Sequence, residues 1–142
     1  MFEIQQNSDA TFRLYDRDHI DPKTGKPLAL EVDKAMACID FAEGPVNRVT
    51  PVVETTTPVE RERLFHCEHF WLWRLRGQSP FTVGAVDSPR VLVCLEGAAN
   101  IEHCDISYAV GKGDVLVLPA AIGKCVFRPR GAVNLLEIAI PD

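Results

Sequence analysis

The sequence predicts an all-β domain, a sandwich or barrel of short strands, behind an N-terminal arm that carries the one helix. Three features predict it. From Arg61 onward, short runs rich in Val, Leu, Ile and aromatic residues recur between turns built on glycine and proline; strands punctuated in this way make sandwiches and barrels. Helical periodicity is confined to Leu30 to Phe41, where Val32, Ala35, Met36 and Ile39 fall at i, i+3, i+4 and i+7. The length of 142 residues, with 46% hydrophobic and 25% charged, suits one globular domain with a real core.

In chain order, Thr11 to Tyr15 reads as a short strand and Asp21-Pro22-Lys23-Thr24-Gly25 as a turn, with proline and glycine where turn geometry favours them. The helix follows and ends at Gly44-Pro45. Asn47 to Pro58 is rich in threonine, valine and proline and reads as an extended surface connector, so the arm is taken as residues 1–58 and the barrel as 59–142. The expected barrel strands are Arg63–Cys67, Phe70–Arg76, Arg90–Leu95, Ala99–Cys104, Val115–Leu118, Cys125–Arg128 and Val133–Ile140. Phe70 to Trp73 and Val91 to Leu95 are apolar on both faces. The outside of the sheet therefore needs a cover, whether the helix, the arm or a second subunit.

The net charge is −5 and the pI about 5.3. An acidic surface repels phosphate backbones, so nucleic acid is not an expected partner, while a few local arginines can still hold a single phosphate. No run approaches the roughly 20 apolar residues of a membrane helix, and the N-terminus lacks the basic-then-apolar pattern of a signal peptide. The cysteines, Cys38, Cys67, Cys94, Cys104 and Cys125, are odd in number and contain no C-x-x-C pair. Reduced thiols in a cytosolic protein are the simplest expectation.

Gly113-Asp114-Val115-Leu116-Val117-Leu118-Pro119, followed by Gly123, resembles the second motif of the cupin superfamily, G-x5-P-x-G with a metal-binding histidine five residues after the proline. The resemblance implies a cupin-type jelly-roll β-barrel. Here Ala121 replaces the inner glycine and Lys124 stands at the histidine position. The partner motif, H-x-H with a glutamate, is missing from Val91 to Leu95, so no metal is expected in this chain. His66, His69 and His103 could build a site another way, but His66 and His69 are spaced to point to opposite faces of a strand. Zinc or manganese needs three or four converging ligands, and exposed strand histidines are the simpler reading. Phe65, Phe70, Trp71 and Trp73 could form a stacking platform or pack a core and one outer face. Gly111-Lys112-Gly113 is too short for a phosphate loop and reads as a hairpin turn.

The segment Glu3-Ile4-Gln5-Gln6-Asn7-Ser8-Asp9-Ala10-Thr11-Phe12-Arg13-Leu14-Tyr15-Asp16 closely resembles a signature of bacterial type I mannose-6-phosphate isomerases. The likeness continues through Asp21-Pro22-Lys23-Thr24-Gly25-Lys26-Pro27 and, more loosely, to Lys112-Gly113-Asp114 and Leu118-Pro119-Ala120. It implies descent from enzymes that interconvert mannose 6-phosphate and fructose 6-phosphate with one divalent metal, usually zinc. It also implies catalytic positions for Arg13 and Glu3. Isomerisation moves a proton between C1 and C2 through an enediol, which needs a base, an oxyanion stabiliser and a fixed phosphate. A carboxylate suits the first role and a guanidinium either of the others. Read without the resemblance, Arg13 is a surface ion-pair residue and Glu3 a strand residue. The family's metal ligands, a glutamine, two histidines and a glutamate, precede this segment and have no counterpart here, so the resemblance is to the C-terminal part alone.

Besides an independent metalloenzyme built on His66, His69 or His103, two functions remain open at this point. One is the C-terminal portion of such an isomerase, inactive by itself and acting on a sugar phosphate only with a separate N-terminal cupin part. The other is a stand-alone non-metal cupin that binds a carbohydrate or a partner. In either case an open-edged arm favours pairing into a homodimer.

Overall fold

The computed structural model describes residues 3–5, 10–44 and 47–141, and the chain forms two compact units, Met1–Arg48 and Val49–Asp142. Among the described residues of the first unit the only helix is α1, Val32–Ala37. It is shorter than its apolar stripe suggests. The Cys38 and Ile39 N–H groups bond three residues back, to Ala35 and Met36 carbonyls, and Asp40 Oδ1 then accepts the Ala42 N–H at 2.9 Å. An aspartate that captures nearby backbone in this way competes with the helix ladder. Thr11 to Tyr15, expected as a strand, joins no sheet among the described residues; the Arg13 carbonyl accepts the Glu31 N–H at 3.0 Å instead. The Asp21–Gly25 turn forms as expected, with Asp21 Oδ1 accepting the Lys23 N–H at 2.8 Å and Gly25 at φ +66°.

The second unit holds two antiparallel sheets. The larger has the order β1-β2-β3-β10-β5-β8 and the smaller β4-β9-β6-β7. The strands are β1 Val52–Thr55, β2 Glu60–His66, β3 Trp71–Gly77, β4 Phe81–Gly84, β5 Arg90–Glu96, β6 Ala98–His103, β7 Ile106–Gly111, β8 Val115–Leu118, β9 Lys124–Pro129 and β10 Val133–Ala139. Each strand expected from this part of the sequence is present. Three more appear: β1 within the stretch read as connector, β4 directly after Pro80, and β7. The Gly111–Asp114 turn is not a hairpin, because β7 and β8 belong to different sheets. It is a crossing point, closed by the Asp114 Oδ2 that accepts the Gly111 N–H at 2.8 Å. Gly97 makes another crossing, between β5 and β6, at φ +87°; a Cβ there would collide with the Ala132 carbonyl.

Alternation along each strand sends one set of side chains between the sheets. Leu75 and Leu135 from the larger sheet and Phe127 from the smaller are fully buried. Phe81 and Phe127 pack with ring centroids 5.0 Å apart, in the offset range that aromatic pairs prefer. Cys94 and Cys125 complete this core as free thiols. Burial pushes both thiols up from the ordinary value of 9.0, with the Asp114 charge adding to the effect at Cys94 and Cys104 adding to it at Cys125.

As pH rises, the unfolded chain therefore loses these protons before the folded one. Their contribution to stability is fully present below pH 9.0 and is lost as pH climbs from there through the folded-state values. Urea denaturation across this alkaline range is expected to show a falling midpoint, and the double variant Cys94→Ala, Cys125→Ala a shallower fall than the parent.

Candidate functional site

Strand β10 reads Val-Asn-Leu-Leu-Glu-Ile-Ala, and its inward positions are Val133, Leu135, Glu137 and Ala139. Register thus places a carboxylate in the core of the second unit, at 1% exposure. The burial of an ionised group is costly unless it is paired and hydrogen-bonded, and both oxygens of Glu137 are engaged. Arg61 Nη1 on β2 lies 2.5 Å from Oε2, and the Gly84 N–H at the end of β4 donates to Oε1 at 3.3 Å. One carboxylate therefore ties the two sheets together.

The guanidinium is itself held from several sides. Its centre stands 4.2 Å from the Trp73 ring centroid, a cation–π arrangement. Trp73 Nε1 donates to Glu54 Oε2 at 3.0 Å, and Glu54 also lies 3.6 Å from Arg61 Nε and 3.6 Å from Arg63 Nη1. Four strands, β1, β2, β3 and β10, so contribute to one alternating cluster of charges and an indole on the inner side of the larger sheet. Trp71 stands beside it, its ring 5.8 Å from that of Trp73 and edge-on to His66 at 4.5 Å. Composition alone did not single out Arg61, Glu54 or Glu137. The available signal was a glutamate two residues after Leu135, in phase with the buried side of a central strand.

The positions where cupins carry metal ligands do not fit a metal here. Lys124 begins β9 as an exposed cation opposite Gly84, and the inward positions of β5 are Leu92 and Cys94, both packed in the core. His66 and His69 flank the turn between β2 and β3, and His69 lies 3.5 Å from Glu68. His103 belongs to the other sheet. Among the described residues no three His, Cys, Asp or Glu side chains converge on a metal-sized site.

Glu3 and Arg13 lie in the first unit, and both side chains are exposed. Gln6, Asn7, Ser8 and Asp9 of the same signature, and Pro45 at the expected helix end, lie outside the described residues. The same unit holds a small cleft of about 60 Å³ that Arg13 does not line; Tyr15, Asp16, Asp18, His19, Pro27 and Leu30 are among its walls. Arg17 and Asp18 at its edge adopt positive φ, in the tight turn where the His19 N–H bonds the Asp16 carbonyl at 2.9 Å.

No protein-family model matches the chain. The mannose-6-phosphate isomerase ManA of Bacillus subtilis is 32% identical over 130 residues, which is 86% of this chain and 38% of that protein. The crystal structure of the mannose 6-phosphate isomerase from Bacillus subtilis superposes with a TM-score of 0.77 at 25% identity, over 95% of this chain and 42% of that one. A cupin superfamily protein from Desulfitobacterium hafniense gives a TM-score of 0.53 at 19% identity, over 69% of this chain and 94% of that one, a likeness of fold alone. The chain spans about two fifths of the length of the curated relatives it matches. The fold is of the cupin type, and the similarity to mannose-6-phosphate isomerases runs along nearly the whole chain.

The cluster around Glu137 predicts unequal effects of removing different arginines. Arg61→Met strands a buried carboxylate and is expected to lower stability by about 3–5 kcal/mol. Arg128→Met breaks the half-exposed pair with Glu102 and is expected to cost about 1 kcal/mol or less. Urea titrations of the two variants check the ordering.

Proposed function

We propose that this chain, similar along nearly its whole length to mannose-6-phosphate isomerases, acts as the C-terminal, metal-free part of a cytosolic enzyme that interconverts mannose 6-phosphate and fructose 6-phosphate. The observation that carries this reading is the combination of the two matches: 32% identity to ManA and a TM-score of 0.77 to the Bacillus subtilis isomerase structure. The match to about two fifths of those proteins supports a partial, not a self-sufficient, enzyme.

In this reading the first unit carries the chemistry of the present chain. Glu3 moves the proton between C1 and C2 of the open-chain sugar, and Arg13 stabilises the oxygen on which negative charge develops or holds the phosphate. The exposure of both side chains supports this, since each must reach a substrate. The metal would belong to the complementary N-terminal cupin part, because the residues of this chain do not fit one. Val115 and Val117, which point outward from the edge strand β8 at 59% and 64% exposure, offer such a part an apolar surface to cover.

The second reading is a stand-alone carbohydrate-binding cupin. The inner cluster of Trp73, Arg61 and Glu54 favours it, because an indole face beside charged hydrogen-bonding groups suits a sugar ring.

A coupled assay separates the two. The chain alone, with zinc added, is expected to show no turnover of mannose 6-phosphate. Addition of the complementary N-terminal part of ManA is expected to produce turnover, and Arg13→Ala to reduce that turnover by about 100-fold or more. Zinc-dependent turnover by the chain alone would contradict the division of labour. A mixed enzyme indifferent to Arg13→Ala would contradict the assigned role.

A further inference from the structure

We propose that Cys104 is a nucleophilic thiol, with His103 as its proton acceptor, that is modified by uncharged α,β-unsaturated carbonyl compounds carrying an apolar chain. The proposal rests on three side chains on one side of the smaller sheet. Cys104 Sγ lies 3.2 Å from His103 Nε2, and Cys125 Sγ lies 3.9 Å from His103 Nδ1. Nucleophile, base and a third group beside the base's other nitrogen form the arrangement by which proteins activate a weak nucleophile.

The local fold explains how the three meet. The register of β6 with β9 places Glu102 opposite Val126, so His103 falls beside Cys125 on the inward face. A continuing strand would send Cys104 to the opposite face. Instead β6 turns into β7 through Cys104 and Asp105, both at positive φ, 47° and 62°. This turn geometry brings the thiol back over the imidazole. The two thiols then differ in what they can do. Cys104 is exposed, whereas Cys125 is buried and its proton is held more tightly. A buried apolar thiol is inert, and an accessible one beside a base is reactive.

The surroundings select the electrophile. Between the edge strands β7 and β8 a cleft of about 340 Å³ is lined by Ile101, His103, Tyr108, Leu116, Ile122 and Cys125, among others. It is apolar and of a size that takes a small ligand. On the other side of His103 a second cleft, of about 390 Å³, carries Glu102 and Asp105 beside Cys104. Glu102 is paired with Arg128, so Asp105 is the rim carboxylate that disfavours anionic reagents, while the apolar cleft receives a hydrocarbon chain. In the reaction, His103 Nε2 takes the S–H proton and Sγ forms a bond to the β-carbon. The π pair moves to the carbonyl oxygen as an enolate. The imidazolium then returns the proton to the α-carbon, leaving a saturated thioether without any oxidant or reductant.

The test treats the intact chain with trans-2-octenal and follows each cysteine by peptide mass mapping. Cys104 is expected to form its adduct at least about tenfold faster than the exposed Cys38 on the arm, as a positioned base provides. His103→Asn is expected to bring Cys104 down to the rate of Cys38, with the fold checked by circular dichroism. Acrylamide, which has no apolar chain, is expected to show a smaller preference for Cys104 than octenal does, and this comparison needs no variant. Equal rates at Cys104 and Cys38 in the parent chain would overturn the proposal. So would a Cys104 rate that His103→Asn leaves unchanged, or an equal preference with acrylamide.

Discussion

A single carboxylate organises the barrel. Glu137 sits on β10, a central strand of the larger sheet, and its two oxygens reach β2 through Arg61 and β4 of the opposite sheet through the Gly84 N–H. Desolvating such a group costs several kcal/mol, and only good geometry and full hydrogen bonding recover it. Neighbouring side chains are arranged to that end: Trp73 stacks on the guanidinium, and Glu54 holds both the indole N–H and the arginines of β2. The edge strand β1, which buries nothing itself, thereby gains a reason to pair.

The same arrangement bears on why the described residues of the second unit do not fit a metal. A catalytic centre needs ligands that converge and an open coordination position. Here the buried core between the sheets is aliphatic and aromatic, the one carboxylate reaching into it is paired with Arg61, and His103 stands apart on the other sheet. At the position of the cupin histidine, Lys124 adds a cation, which opposes a second one. The first unit is different in kind. Its side chains are mostly exposed, Ala35 is the one buried residue among those described, and its order comes from turns and short hydrogen bonds. A unit built in this way suits residues that must meet a substrate or another chain.

Much of this was legible in the residues. Val115–Leu118 falls where the glycine-aspartate turn and Pro119 bracket it, and the alternation in Val133–Ala139 marks a strand half facing a core. What sequence missed has physical causes. Strand β7 follows a turn made by Cys104 and Asp105, which adopt positive φ without the glycine or asparagine that usually announces a hairpin. Strand β4 begins directly after Pro80 and ends at Gly84, so its four residues merge with the turn signals on either side. The helix was overestimated because its stripe continues to Ile39, while the N–H groups of Cys38 and Ile39 already bond three residues back and the helical ladder stops at Ala37. Arg13 and Glu3 were readable only through family likeness, since an exposed charge has no periodicity. The ion pair between Arg61 and Glu137 joins residues far apart in sequence and becomes visible only when β2 and β10 meet β3 from either side.

The second unit folds around the ion pair of Glu137 and Arg61, and its described residues do not fit a metal. Metal analysis of the purified chain after dialysis against zinc tests that claim most directly. The prediction is zinc well below one ion per chain, with no change in the thermal midpoint on adding a chelator. One tightly held zinc per chain, whose removal lowers the midpoint, would contradict it.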